Sequence, residues 1–350
     1  MQHKSKLPTQ IFFSILVCIY VARVEAESKI GLILPLSGAI SEMGLSFKRG
    51  VELYSQDNPD SGASFVYEDH RYDGRSTVTA LHALKAKAGV DLVVVWGNAP
   101  SSAAAPVAQQ QRIPMLAVSM NPDAKDRDYV VTFGSPVDKV ADSIATHLRG
   151  VGGNKYGAIG IDIGNVLEAF DLIEQRLNGF TSKKILLATE VDFKAVISSF
   201  KSRSIDSLVL FLLPEQALTF LRQARQMEYA PTIIGGDIFA AESFQRQAIP
   251  LSSKISFAYG AVRPDFIQRL SNTQAGSSYF FEVATGYSIA AIATQIAESR
   301  GASGLPFGYL DKISTDALPI PSIKYARDSS FGQRFELPPN IYALPTRESK

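Results

Sequence analysis

The chain has 350 residues, with 35 Lys+Arg against 34 Asp+Glu for a formal charge of +1, and a single cysteine. A near-neutral chain with no basic block lacks the electrostatic footprint of a nucleic-acid binder. One cysteine supports neither an internal disulfide nor a thiolate metal cluster.

The first predicted element is an address label. Lys4 and Lys6 make a basic start, residues 11–21 an apolar run, and Val24-Glu25-Ala26 a small-residue cleavage pattern. This reads as a secretory signal peptide over 1–26, its apolar run too short to span a bilayer. Cys18 in "ILVC" suggests a lipoprotein, but Val17 stands where a small residue is wanted and Cys18 lies inside the apolar run; the ordinary signal is preferred. Cleavage after Ala26 removes the cysteine together with Lys4, Lys6, Arg23 and Glu25. The remaining chain, about 320 residues, exceeds one comfortable core, so two lobes are expected. No other apolar run is long and uncharged enough to cross a membrane.

From there, short β-rich runs alternate with amphipathic stretches. "IGLILP" (30–35), "SFVYED" (64–69), "DLVVVWG" (91–97) and "IPMLAVS" (113–119) read as strands, with helices over 43–56, 76–88 and from Ser101 onward. The alternation restarts with "YGAIGID" (156–162), "KILLATE" (184–190), "SLVLFLL" (207–213), "PTIIGGD" (231–237) and "KISFAYG" (254–260), separated by helices over 166–177, 193–202, 215–227 and 240–247. Strands apolar on both faces, each followed by a helix, predict an α/β fold with two doubly wound parallel-sheet lobes. After Val262 the rhythm breaks into a long helix over 279–299 and a tail with two candidate strands, "SIKYAR" (322–327) and "IYAL" (341–344). The glycine-rich "GVGGNK" (150–155) precedes a strand instead of following one, so it reads as a linker turn and not as a phosphate cradle.

Catalytic and metal chemistry find no constellation. His70, His82 and His147 lack ligand spacing, and each reads as a surface or internally satisfied histidine. "EDHRYD" (68–73) gathers acids around His70, yet a turn with Asp73 capping the next helix accounts for it. There is no nucleophile elbow, Walker loop or dinucleotide fingerprint. An enzyme is therefore not expected, nor any cofactor or metal.

Doubly wound sheets bind ligands beyond the carboxyl ends of their strands. Those ends are Ser37-Gly38, Asp69-His70, "GNAPSS" with Asn98, Ser101 and Ser102, and "SMNP" with Ser119 and Met120; then "DIGN" with Asn165, "LLPE" with Leu212 and Leu213, "GGD" with Asp237, and "AYG" with Tyr259. Ser101 and Ser102 open a helix whose free N–H groups can hold an acceptor such as a carboxylate. One of the two serines is also a natural N-cap. Asp237 can meet a donor on a ligand or cap the helix that follows it.

The run "IGLILPLSGAISEMGLSFKRGVEL", then "VYEDHRYDGRSTVTALHALKA", "VVVWGNAPSSAAAPVAQQQRIPMLAVSMNP", "LRQARQMEYAPTIIGGD" and "YFFEVATGYSIAAIATQIAESRG" resembles the type I periplasmic solute-binding proteins of ABC importers, with the leucine/isoleucine/valine-binding proteins as model members. The resemblance implies two α/β lobes joined by three crossovers and closing on a ligand. Lobe one would comprise 27–135 plus 263–312, and lobe two 136–262 plus 313–350. It implies a ligand carboxylate at Ser101-Ser102 and at Ser119-Met120, with Ser37-Gly38 as a cleft edge kept small. Two departures stand against amino-acid specificity. Ile163 precedes Gly164, and Leu212-Leu213 precede Pro214-Glu215, where amino-acid binders usually carry aromatics.

The expected function is thus a periplasmic solute-binding protein that delivers a small molecule to an ABC permease in the inner membrane. Its ligand would have a carboxylate or amide end and an apolar body. A periplasmic sensor subunit acting through a signalling partner, or a degenerate member that binds nothing, are the alternatives; no nucleic acid and no membrane span in the mature chain are expected. Export is directly testable: N-terminal sequencing of protein from its native compartment should begin at Glu27, whereas a chain starting at Met1 or lipidated at Cys18 would refute the signal.

Overall fold

The computed structural model describes residues 28–162, 164–272, 279–303, 307 and 309–344. The expected signal peptide over 1–26 with Cys18, residue Ile163, the side chain of Asn165 and residues 345–350 lie outside the described residues.

Five strands lead the first lobe: β1 (Ser28–Leu34), β2 (Ala63–Asp69), β3 (Leu92–Trp96), β4 (Met115–Val118) and β5 (Val130–Gly134). Helices α1 (Ser41–Asp57), α2 (Gly74–Ala83) and α3 (Asn98–Gln111) connect the first four. Because β1 and β3 bury residues on both faces, their sheet must be covered on both sides, which parallel pairing with helical crossovers provides. Ile33, Val93 and Val95 pack with Leu81, Ala104 and Ala108 of α2 and α3 on one side. Leu32 and Val94 join the larger core with Phe47 and Val51 of α1 on the other.

The second lobe repeats the plan. It contains α4 (Val137–Gly150), β6 (Tyr156–Ile161), α5 (Gly164–Leu177), β7 (Ser182–Leu186), α6 (Lys194–Ser202), β8 (Ser207–Phe211), α7 (Pro214–Gln226), β9 (Thr232–Gly235), α8 (Glu242–Ala248) and β10 (Ile255–Gly260). The chain then forms α9 (Pro264–Ser271), α10 (Phe280–Ser303), β11 (Lys324–Asp328), β12 (Gly332–Glu336) and β13 (Pro339–Ala343). The sheets run β11-β12-β5-β4-β3-β1-β2 and β13-β10-β9-β8-β6-β7. The leading strands of both lobes follow the doubly wound 2-1-3-4-5 order, which places a switch point between β1 and β3 and another between β6 and β8.

Several elements differ from the sequence reading. Strands β5 and β12 and helices α4 and α9 were not anticipated; β5 is only five residues long and follows the charged "KDRD" segment, so no alternation announces it. Strand β7 ends at Leu186, before the expected stretch is complete, because the Glu190 carboxylate accepts the Leu187 N–H at 2.8 Å and turns the chain. The tail also divides differently. Residues 313–350 were assigned to lobe two, but β12 pairs with β5 in parallel and β11 with β12 antiparallel, so the tail as far as Glu336 extends the first sheet. Only β13 crosses to the second sheet, antiparallel to β10.

The lobes are therefore joined by three crossovers: from β5 to α4, from β10 to α9, and from β12 to β13. Two of them run side by side, since the Ser135 hydroxyl donates to the Leu337 carbonyl at 2.8 Å and the Leu337 N–H to the Gly134 carbonyl at 3.2 Å.

Helix α10 is seated on α1 by two glycines. A Cβ on Gly286 would overlap the Phe47 carbonyl, and one on Gly50 would overlap the Val283 carbonyl. The helices thus meet backbone to backbone, which holds the start of α10 against the sheet. Gly286→Ala should push them apart and destabilise the protein by about 1–3 kcal/mol, read from the shift in a chemical-denaturation midpoint; an unchanged midpoint would show that the helices tolerate a methyl between them.

Candidate functional site

On lobe one, the C-terminal ends of β1, β2, β3 and β4 form the edge facing the second lobe. Asp69 organises the first turn: its carboxylate accepts the N–H groups of Leu36 and Arg71, each at 2.9 Å, and the Ser37 hydroxyl at 2.5 Å. Ser37 and Gly38 are exposed, and Gly38 takes φ +92°, which a residue with a side chain rarely adopts. The small Leu-Ser-Gly turn is therefore tied to β2, with the serine hydroxyl directed to its own lobe.

His70 is fully buried. Its Nε2 lies 2.9 Å from the Trp96 carbonyl, which can only accept, and its Nδ1 takes the Tyr72 N–H at 2.8 Å. The ring is thereby the neutral Nε2–H tautomer, and burial pushes its pKa down. As expected, Asp73 caps α2, accepting the Ser76 N–H at 2.8 Å. Between them, Arg71 and Tyr72 both sit in the left-handed region, at φ 52° and 60°. That costly conformation swings the Tyr72 ring over Gly97, which itself has φ +105° and whose Cβ would come within 2.6 Å of the ring. The Tyr72 hydroxyl faces the backbone N–H groups of Asn98 and Ala99 at the start of α3.

The helix N-terminus expected to hold a carboxylate is thus occupied from within. Ser101 is fully buried and donates to the Val95 carbonyl at 3.1 Å. Ser102 donates to Asp123 at 2.6 Å and accepts the Asn121 amide at 3.1 Å. Neither serine caps α3; Gly97 holds that position without a side-chain bond. Asn98 accepts the Ser119 hydroxyl at 3.2 Å and the Met120 N–H at 2.9 Å, while Ser119 accepts the Asn121 N–H at 3.0 Å. Hydroxyls beside strand carbonyls and a buried carboxylate find partners inside the lobe sooner than in a ligand.

The second lobe contributes Leu212, buried at the end of β8, then Asp237 after β9 and Tyr259 in β10. Asp237 opens a single 3₁₀ turn, where one carboxylate oxygen accepts the Ile238 N–H at 2.9 Å. Solvent reaches its side chain along the cleft, yet protein surrounds the carboxylate closely enough to push its pKa up. The Tyr259 ring lies 4.7 Å from that of Phe281, and its hydroxyl is enclosed with no hydrogen-bond partner among the described residues.

Four residues that the sequence reading did not select complete the site: Tyr72, Trp96, Tyr279 and Glu282. Trp96 ends β3, stacks obliquely on Tyr72 at 6.1 Å and donates its indole N–H to Glu282 at 3.0 Å. Glu282 is 4% exposed. Burial and the negative charge of Asp237 drive its pKa up to about 8, against the opposing pull of the indole. Asp237 also acts electrostatically on Tyr72, Tyr259 and Tyr279, the first of which burial pushes up to about 12. Asp237 of lobe two is thus near enough to act on the charges of Tyr72, Tyr279 and Glu282 of lobe one, and Trp96 joins them through its hydrogen bond to Glu282. The signal for Glu282 was present in "FFEVATGYSIAAIATQIA", an apolar run of 18 residues in which it is the only charge. Among the described residues, neither carboxylate forms an ion pair. No cluster of three His, Cys, Asp or Glu able to hold a metal is found, and no helix is long and apolar enough to cross a membrane, again among the described residues.

A two-lobed α/β molecule with a residue-lined cleft between its strand ends has the form of a solute-binding protein. The family model described as periplasmic binding protein matches residues 27–262, and the chain belongs to that family. A leucine-binding protein from Thermotoga maritima superposes with TM-score 0.77 at 17% identity, covering 92% of this chain and 100% of its own. A solute-binding protein of an ABC transporter from R. palustris, in complex with benzoate, gives 0.75 at 14% identity over 91% of this chain and 93% of its own. A branched-chain amino acid substrate-binding protein from Streptococcus pneumoniae, in complex with isoleucine, gives 0.74 at 18% over 91% and 96%. A comparison with curated protein sequences gives no significant match.

The Glu282 carboxyl makes stability depend on pH in a definite direction. It ionises near 4.5 when exposed and near 8 in the folded protein. Between those values the folded state binds the extra proton, so rising pH disfavours folding, by roughly 3 kcal/mol at neutrality. Glu282→Gln keeps an acceptor for Trp96 and removes the titration. The variant should therefore melt with the wild type near pH 5 and above it at pH 8; identical melting curves at both values would show that Glu282 is ionised throughout.

Proposed function

We propose that this chain is the solute-binding component of an ABC importer, exported to the periplasm, which closes its two lobes on a small molecule and presents it to an inner-membrane permease. The observation that carries this reading is the meeting of the two lobes at their strand ends, where the Tyr259 ring of one lies 4.7 Å from the Phe281 ring of the other and Asp237 acts on Tyr72 and Glu282. Contacts from both sides favour the closed state of a hinged pair, and this is how a ligand shifts the population. Family membership supports a binding role over a catalytic one. The signal peptide read from residues 1–26 supports export.

The ligand's expected apolar body is supported by the ring faces of Tyr72, Trp96 and Tyr259. Its expected carboxylate end is not, since Ser101, Ser102 and Ser119 are spent on Val95, Asp123 and Asn98. Structures of similar fold have been solved with benzoate and with isoleucine bound, so the fold leaves the ligand open and the side chains must decide it.

Small-angle scattering on natively purified protein, before and after removal of bound small molecules by partial unfolding and refolding, tests the reading. The native sample should release a small molecule detectable by mass spectrometry and show the smaller radius of gyration. Equal radii with nothing released would instead favour a rigid member of the family that binds no solute.

A further inference from the structure

The cleft carries a charge problem that no neighbouring side chain solves. Glu282 is almost fully buried, and among the described residues the only side-chain hydrogen bond its carboxylate receives is from the Trp96 indole. Asp237 of the other lobe acts on it electrostatically, and among the described residues its carboxylate accepts only the N–H of the next residue. Neither carboxylate meets a lysine, arginine or histidine among the described residues, and the groups acting on them and on the surrounding phenols are Asp237, Glu282, Tyr259, Tyr279 and, more peripherally, Glu42. A carboxylate as buried as Glu282 is ordinarily paired or neutralised, whereas Asp237 remains open to solvent along the cleft. A second feature lies beside it: the enclosed Tyr259 hydroxyl makes no hydrogen bond of good geometry among the described residues, the nearest donor being the Glu282 backbone N–H. Around both stand the electron-rich faces of Tyr72, Trp96 and Tyr259, the surfaces on which an organic cation is best held. No group in this space offers a positive charge to an anion.

Resting on the binding-protein reading above, we propose that the solute is an organic cation, an ammonium carried on an apolar body, with its charge between Asp237 and Glu282 and its body against Tyr72, Trp96 and Tyr259. The acid pair then supplies the attraction, the rings supply cation–π and apolar contact, and Tyr259 gains a partner if the ligand carries a polar group beside its charge. The obstruction of the α3 N-terminus by Tyr72 removes the anion site that would otherwise favour a zwitterion.

Trp96 is the chain's single tryptophan, so intrinsic fluorescence reports this site and no other. The full mature chain is titrated separately with benzylammonium, benzyltrimethylammonium, benzoate and benzyl alcohol, following Trp96 emission. We expect saturable change with a cation and not with benzoate or benzyl alcohol. Glu282→Gln and Asp237→Asn should each weaken cation binding by roughly tenfold or more, with circular dichroism confirming that both fold. Binding of benzyltrimethylammonium, whose charge does not titrate, should strengthen as pH rises from 6 through about 8, where Glu282 loses its proton. Saturation by benzoate or benzyl alcohol without either cation would overturn the cation while leaving the binding protein intact, as would cation binding unchanged in both variants. If no probe binds, the charge of the molecule released from natively purified protein decides: a cation supports the proposal and an anion or neutral molecule overturns it. Release of nothing overturns both readings together.

Discussion

An ionised carboxylate taken out of water without a counter-charge costs several kcal/mol, and a folded chain either pairs it, protonates it or reserves it for something that arrives later. Glu282 stands under that constraint, and much of the site is arranged around it. Its place is fixed from two directions. The glycine contacts Gly50 and Gly286 seat α10 on α1, and the Trp96 indole ties the carboxylate to the end of β3. Trp96 in turn offers its carbonyl to His70, which holds the Tyr72 N–H. The line from α10 to the β2–α2 turn is thus one chain of hydrogen bonds, and the left-handed backbone at Arg71 and Tyr72 is the strain it sustains.

That line explains why the expected anion site is filled. Once His70 fixes the turn, Tyr72 has only one direction open to it, over Gly97 and toward the first N–H groups of α3. A side chain at residue 97 would collide with the ring, so Gly97 is required by the tyrosine above it as well as by its own φ. The first N–H groups of α3 thus face a neutral phenol oxygen of their own lobe. Ser101 and Ser102 then complete a lobe whose polar groups answer one another.

Much of the fold could be read from the sequence because strands apolar on both faces and spaced by amphipathic helices leave few arrangements other than covered parallel sheets. The tail could not. Strands β11 and β12 have mixed, half-exposed sequences, and only their pairing to β5 and to one another reveals which lobe owns them. Of the proposed site, Asp237 and Tyr259 were readable from the sequence as strand-end residues. The serines misled because a hydroxyl at a helix start looks the same in sequence whether it meets a ligand or the Val95 carbonyl. Glu282 was overlooked although its signal was plain, a lone acid in the apolar first turns of a helix, because strand ends were searched and helix starts near the crossovers were not. Tyr72 could not have been found, since its role depends on a backbone conformation that its residue type disfavours.

The same electrostatics bears on how the lobes move. Asp237 and Glu282 belong to opposite lobes, so the proposed closure brings two like charges nearer, Glu282 from a buried position and Asp237 from one that solvent still reaches. An empty cleft can relieve this by holding a proton on Glu282 or by opening. A solute that neutralises the pair removes the repulsion at the moment it adds contacts to both lobes, and its affinity for the closed form exceeds that for the open form by both amounts. Differential affinity of this kind is what a binding protein needs in order to signal occupancy to its transporter. On the proposed reading, a carboxylate pair divided between the two lobes couples recognition to closure through the charge it leaves unpaired.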